Sequence, residues 1–140
     1  MSKRDSIYKE LANFDDDYLS DDPDFITRLF GARLVGALDS TLEDKFKLIE
    51  GEGEEKLQEM VKILSSLSDE QKLAVKQLLK LMGKDFFYWM LVKIRNFPYH
   101  VDISFLNSAS EKICSIDDEE ELHHQYFDWI EEFSDHVEEN

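Results

Sequence analysis

Proline occurs only twice in the 140-residue chain, as Pro23 and Pro98, and glycine five times. So few breakers leave long uninterrupted stretches, and apolar side chains recur through them at helical spacing. "DDPDF" at 21–25 reads as a helix start, with Asp22 as N-cap, Pro23 at the first helical position and Asp24 in the first turn. Phe25, Ile26, Leu29, Phe30, Leu34 and Leu38 form its apolar stripe, with Gly31 and Gly36 inside it. A short helix over about Asp5–Phe14 precedes it. A further element begins near Thr41 with Leu42, Phe46 and Ile49 on one face, and "EGEGEE" at 50–55 interrupts it before Leu57, Met60, Val61 and Leu64 resume the pattern.

Ser68 and Gln71 have the spacing of a capping box. They predict a helix from there to about Asn96, where "NFP" ends it. Its apolar residues, from Leu73 through Ile94, surround the helix on most sides, so it is expected to be the central and most buried one. Residues 99–116 are open to two readings. "VDISFL" alternates weakly like a strand, but a single strand has no obvious partner, so a short helix is expected. The expected fold is therefore all-α: one acidic domain over 1–140, a bundle of five or six helices around a central hydrophobic helix at about 69–95.

Net charge is −16, and it sits in two places. Residues 15–24 carry six Asp and no base, residues 117–140 carry eleven carboxylates and no Lys or Arg, and residues 25–116 balance thirteen acids with thirteen bases. A disordered acidic tail would lack aromatics, but the chain has ten Phe, five Tyr and two Trp, and 42% of its residues are apolar. On a helical wheel Leu122, Tyr126, Trp129, Ile130, Phe133 and Val137 fall in an arc of roughly 100°. Glu120, Glu121, Asp128, Glu131, Glu132, Asp135, Glu138 and Glu139 fall opposite. Like-charge neighbours one turn apart cost a few tenths of a kcal/mol each, about 0.2–0.5. Residues 117–140 thus read as an amphipathic helix that keeps an acidic face in spite of that cost.

This charge disfavours direct contact with nucleic acid or anionic lipid, which need clustered Lys and Arg. A basic protein partner is the natural complement. Asp128, Glu131, Glu132, Asp135 and Glu121 are the candidate contacts, with Asp17, Asp21 and Asp22 as a second patch. Tyr88, in the aromatic cluster "DFFYWM" at 85–90, is the candidate apolar anchor.

No catalytic, cofactor or metal motif is expected to act here. From Asp15 an EF-hand loop would need Gly at its sixth position and Glu at its twelfth, where Ser20 and Ile26 stand. His123 and His124 are adjacent, so a helix points them apart, and they read as surface histidines. Cys114 is the lone cysteine and reads as a small buried hydrophobe. The opening residues lack the apolar core of a signal peptide, and "FFYWMLV" at 86–92 falls far short of the roughly 20 residues of a membrane span. A soluble, cytoplasmic protein is expected.

"LSDEQKLAVKQLLKLMGKDFFYWMLVKI" (67–94) and "LHHQYFDWIEEFSDH" (122–136) resemble parts of small, acidic, all-helical uncharacterised bacterial proteins, some grouped with toxin-immunity proteins. The resemblance implies a non-enzymatic inhibitor that neutralises a basic toxin. Two alternatives accompany it: a DNA-mimic inhibitor of phage or mobile-element type, which would set both acidic segments in one stripe, and an acidic secretion chaperone or adaptor, which would show a hydrophobic groove and dimerise.

Overall fold

A computed structural model describes residues 1–14, 20–116 and 122–138. The acidic runs 15–19 and 117–121 lie outside the described residues, and Asp17 and Glu121 with them. Helix α1 (Asp5–Leu11) buries Ile7. Helix α2 (Pro23–Ile49) starts as its sequence requires, with Asp22 Oδ1 accepting from the Asp24 amide at 3.1 Å and Pro23 in the first turn. It runs through Leu38–Leu42 without a break, so the expected separate element at Thr41 is its continuation. The Thr41 hydroxyl bonds back to the Ala37 carbonyl at 2.8 Å instead of ending the helix.

Helix α2 ends at the first glycine of "EGEGEE". Gly51 has φ of 99°, a conformation that favours glycine. The Gly51 amide donates to the Leu48 carbonyl and the Glu52 amide to the Lys47 carbonyl, which is the Schellman pattern. A 3-10 turn (Glu55–Leu57) leads into α3 (Gln58–Ser65). Helix α4 (Asp69–Arg95) opens on the capping box, with both the Ser68 and Gln71 bonds formed.

The chain then departs from the all-α expectation. Ile103–Leu106 (β1) and Lys112–Ile116 (β2) form a two-stranded antiparallel hairpin where a short helix was expected. The partner of "VDISFL" is "KICSI", which begins after five intervening residues. The Asn107 side chain accepts the amides of Ala109 and Glu111, and Ser110 takes φ of 63°, which turns the chain back in five residues. Phe105 on β1 lies edge-on to Phe30 of α2, ring centroids 5.3 Å apart, so one face of the hairpin has a core to rest on. The described residues form a helical assembly with one small sheet.

Helix α2, not α4, is the central element. It packs against α1, α3, α4, β2 and the last helix, α5 (Leu122–Phe133). Ala32, Val35, Leu38 and Leu42 on α2 meet Tyr126, Trp129, Ile130 and Phe133 on α5. Gly31 sets how closely they approach, because a Cβ there would stand 2.4 Å from the Trp129 ring. The expected burial of α4 is corrected: it lies on the outside, and Leu91 is its one fully buried residue. Apolar residues all round a helix show that it can pack anywhere, but not which side the rest of the chain covers. Here α2 and α5 fill the centre, and α4 is covered on one side only. No described helix is long and apolar enough to cross a membrane.

Candidate partner-binding surfaces

The C-terminal segment buries the residues its periodicity indicates. Leu122, Tyr126, Trp129, Ile130, Phe133 and Val137 are all in the core. The helix itself, however, stops at Phe133. Ser134 is buried at the turn, and its hydroxyl accepts from the Val137 amide at 2.8 Å. Asp135 is therefore not part of the helical acidic face.

What stops the helix is a buried carboxylate. Asp39 of α2 is fully enclosed. Its Oδ1 accepts from the Ser134 hydroxyl at 2.7 Å, and its Oδ2 from the Asp135 amide at 2.8 Å and from Arg4 Nη1. The same Arg4 nitrogen donates to the Phe133 carbonyl at 2.9 Å, so a cation caps the C-terminal end of α5. Asp135 closes the clasp from the other side, accepting from the Lys3 amide at 2.8 Å and standing 3.7 Å from Arg4. Burial pushes the Asp135 carboxyl upward, but the Lys3 amide, the Ser2 hydroxyl, Arg4 and His136 outweigh it and hold it below its ordinary value. Sequence reasoning did not single out Arg4 or Asp39. A signal was there: Asp39 sits four residues after Val35 and three before Leu42, inside the buried register of α2.

The other expected contacts divide in two. Asp128 and Glu131 are exposed on the outer side of α5. Glu132 is paired with Arg28 of α2, at 3.0 Å from Nε. The hydrogen bond to Glu132 raises the Arg28 pKa against the effect of burial, with Glu132, Asp24 and Glu10 adding their negative fields. One guanidinium is thus paired with an acid of α5 and feels the fields of acids on α1 and α2. Asp21 and Asp22 are exposed at the start of α2, where Asp22 serves as the cap. Asp24 at the start of α2 and Glu132 on α5 thus both act on Arg28.

Tyr88 is not the open anchor of its cluster. Its ring stacks on Phe127 at 5.2 Å and meets Trp89 and His123 edge-on. His123 is itself buried against this cluster, so its expected surface position is corrected, while His124 is exposed. Burial, then the charges of Asp85 and Asp39, push the Tyr126 phenol upward, and its hydroxyl donates to the Lys84 carbonyl at 3.2 Å. Cys114 is half-buried on β2. Among the described residues no three His, Cys, Asp or Glu side chains converge on a point that could hold a metal ion.

The open aromatics are the neighbours of Tyr88. Phe86 is 67% exposed and Trp89 58% exposed, and Leu78, Leu81, Met82 and Phe97 are exposed to a similar degree. Leu78, Leu81 or Met82, Phe86 and Trp89 follow one another at steps of three to five residues along the outer side of α4, and Phe97 stands just past its C-terminal end. At its C-terminal end a shallow groove of about 510 Å³ runs between Trp89, Met90, Ile94, Phe97 and Val101. Compared with known proteins, the chain matches no family model, no curated protein and no solved structure at a significant level.

Proposed function

We propose that this is a non-enzymatic, cytoplasmic binding protein that engages a basic protein partner through its acidic side and blocks it. An immunity protein that neutralises a bacterial toxin is the leading form of this reading. The observation that supports it is the Glu132–Arg28 pair, whose guanidinium also feels the negative fields of Glu10 and Asp24, together with Asp128 and Glu131 exposed on the same helix as Glu132. These acids belong to a chain that carries sixteen more negative than positive charges. Such a field speeds and steers association with a cation-rich surface more than it adds affinity.

The test uses the immobilised protein and lysate of its own source at low salt, beside a column of Asp128→Lys/Glu131→Lys. Asp135 is left alone because it belongs to the clasp. One stoichiometric basic protein, held by the wild type, released by the variant and inhibited when the purified pair is mixed, is the expected result. Capture of only abundant basic proteins on the wild type, all eluting at moderate salt, would reduce the acidic side to a solvated face. A second reading, an acidic adaptor or secretion chaperone, is favoured by the apolar side of α4, which such a protein would use to hold a client.

A further inference from the structure

We infer that the outer side of α4 is a homodimer interface in which two copies of the helix lie antiparallel across a two-fold axis at Trp89. The first argument is area. Leu78, Leu81, Met82, Phe86, Trp89 and Phe97 are each 55–67% exposed. At about 200 Å² per large side chain, they present roughly 700 Å² of apolar surface. That exceeds the roughly 300–600 Å² of the largest patch on an ordinary monomer, and it approaches the roughly 800 Å² each partner gives to a standard interface.

The second argument is charge. Helix α4 carries four lysines in its first sixteen residues, and three of them are drawn away from the stripe. Lys76 pairs with Glu50 at 2.7 Å, Lys80 lies over the Phe46 ring and Lys84 over the Phe127 ring. The stripe itself holds one acid and one base, Asp85 and Lys93, both exposed. It has no net sign to attract either an acidic or a basic stranger. On this face two strongly negative chains can meet with one acid and one base from each in the contact.

The third argument is symmetry. Asp85 lies four residues before Trp89, and Lys93 four residues after it. An antiparallel copy centred on Trp89 sets each Asp85 against the other chain's Lys93. Self-complementarity of this kind is what a two-fold interface requires. The inference does not depend on the acidic side having a partner, and a dimer would display two such sides facing outward.

The experiment is sedimentation equilibrium of the whole chain at micromolar concentration over a salt series. A dimer is expected, and it should tighten with salt as repulsion between the negative chains is screened. Trp89→Asp and, separately, Met82→Asp should weaken it by about thirtyfold or more, the cost of losing a central anchor, while circular dichroism shows the helices intact. Asp85→Lys and Lys93→Asp should each weaken the dimer, and the double exchange should restore it. A chain that stays monomeric at high salt would overturn the inference and leave the stripe to another protein, as would a dimer that survives both aspartate substitutions. A dimer that the single charge changes weaken and the double exchange fails to restore would overturn the antiparallel register.

Discussion

At the scale of single residues, the account turns on Asp39. A carboxylate with no access to water is tolerable only when its lone pairs are occupied, and Arg4, Ser134 and the Asp135 amide occupy them. Removing one member strands the others, since Arg4 is itself only 13% exposed. Asp39→Ala should lower stability by about 3 kcal/mol or more, read as a fall in the urea midpoint with little change in slope. Asp135 adds a pH dependence. Its folded pKa is depressed, so the stability it contributes is fully present above its unfolded value, near about pH 4, and is lost as pH falls through the lower folded value. Asp135→Asn should therefore flatten the acid limb of a stability-versus-pH curve and leave the neutral limb parallel to the wild type. An acid limb that keeps its slope would remove Asp135 from that role. Of this clasp the sequence singled out only Asp135, and as a partner contact, because a lone Asp39 in an apolar register does not say which distant cation it meets. Arg4 is thirty-five residues away and Ser134 ninety-five.

At the scale of elements, local chemistry was legible where it is written in adjacent residues. The Asp22 cap, the Ser68 and Gln71 box and the buried arc of α5 follow directly from short-range patterns. The failures share one physical cause, which is that they depend on what lies across from the element. The strand at 103–106 needed its partner at 112–116, and the burial of α4 depended on how much of it α2 and α5 leave uncovered. Thr41 was read as a start, yet its hydroxyl is satisfied within the helix. Gly31 is the sharpest element-scale test. Its Cβ position coincides with the Trp129 ring, so Gly31→Ala must push α5 away from α2. Overpacking of this kind costs about 1–3 kcal/mol, and the melting temperature should fall accordingly while Trp129 emission shifts toward that of an exposed indole. Gly36→Ala serves as the comparison, since its nearest neighbour is Arg4 Nε at 3.3 Å, a clash far milder than that with the Trp129 ring, and its effect should be smaller.

At the scale of the whole molecule, charge and apolar surface are separated. Exposed acids lie along the outer side of α5, while Lys76, Lys80 and Lys84 of α4 are folded back onto Glu50 and aromatic rings. The overall charge and the acidic face of the C-terminal helix were plain in the sequence. The open stripe on α4 was not, because the same residues read equally well as core. The two surfaces should respond to salt in opposite directions: an acidic docking side weakens as it is screened, and an apolar contact between two negative chains strengthens. The most direct test of the acidic-side reading is the association rate of the captured basic partner, measured by stopped flow across ionic strength with the wild type and with Trp89→Asp. The account predicts a rate that falls steeply with salt and is nearly the same for both chains. A rate indifferent to salt, or one abolished by Trp89→Asp, would contradict it and transfer recognition to the apolar face of α4.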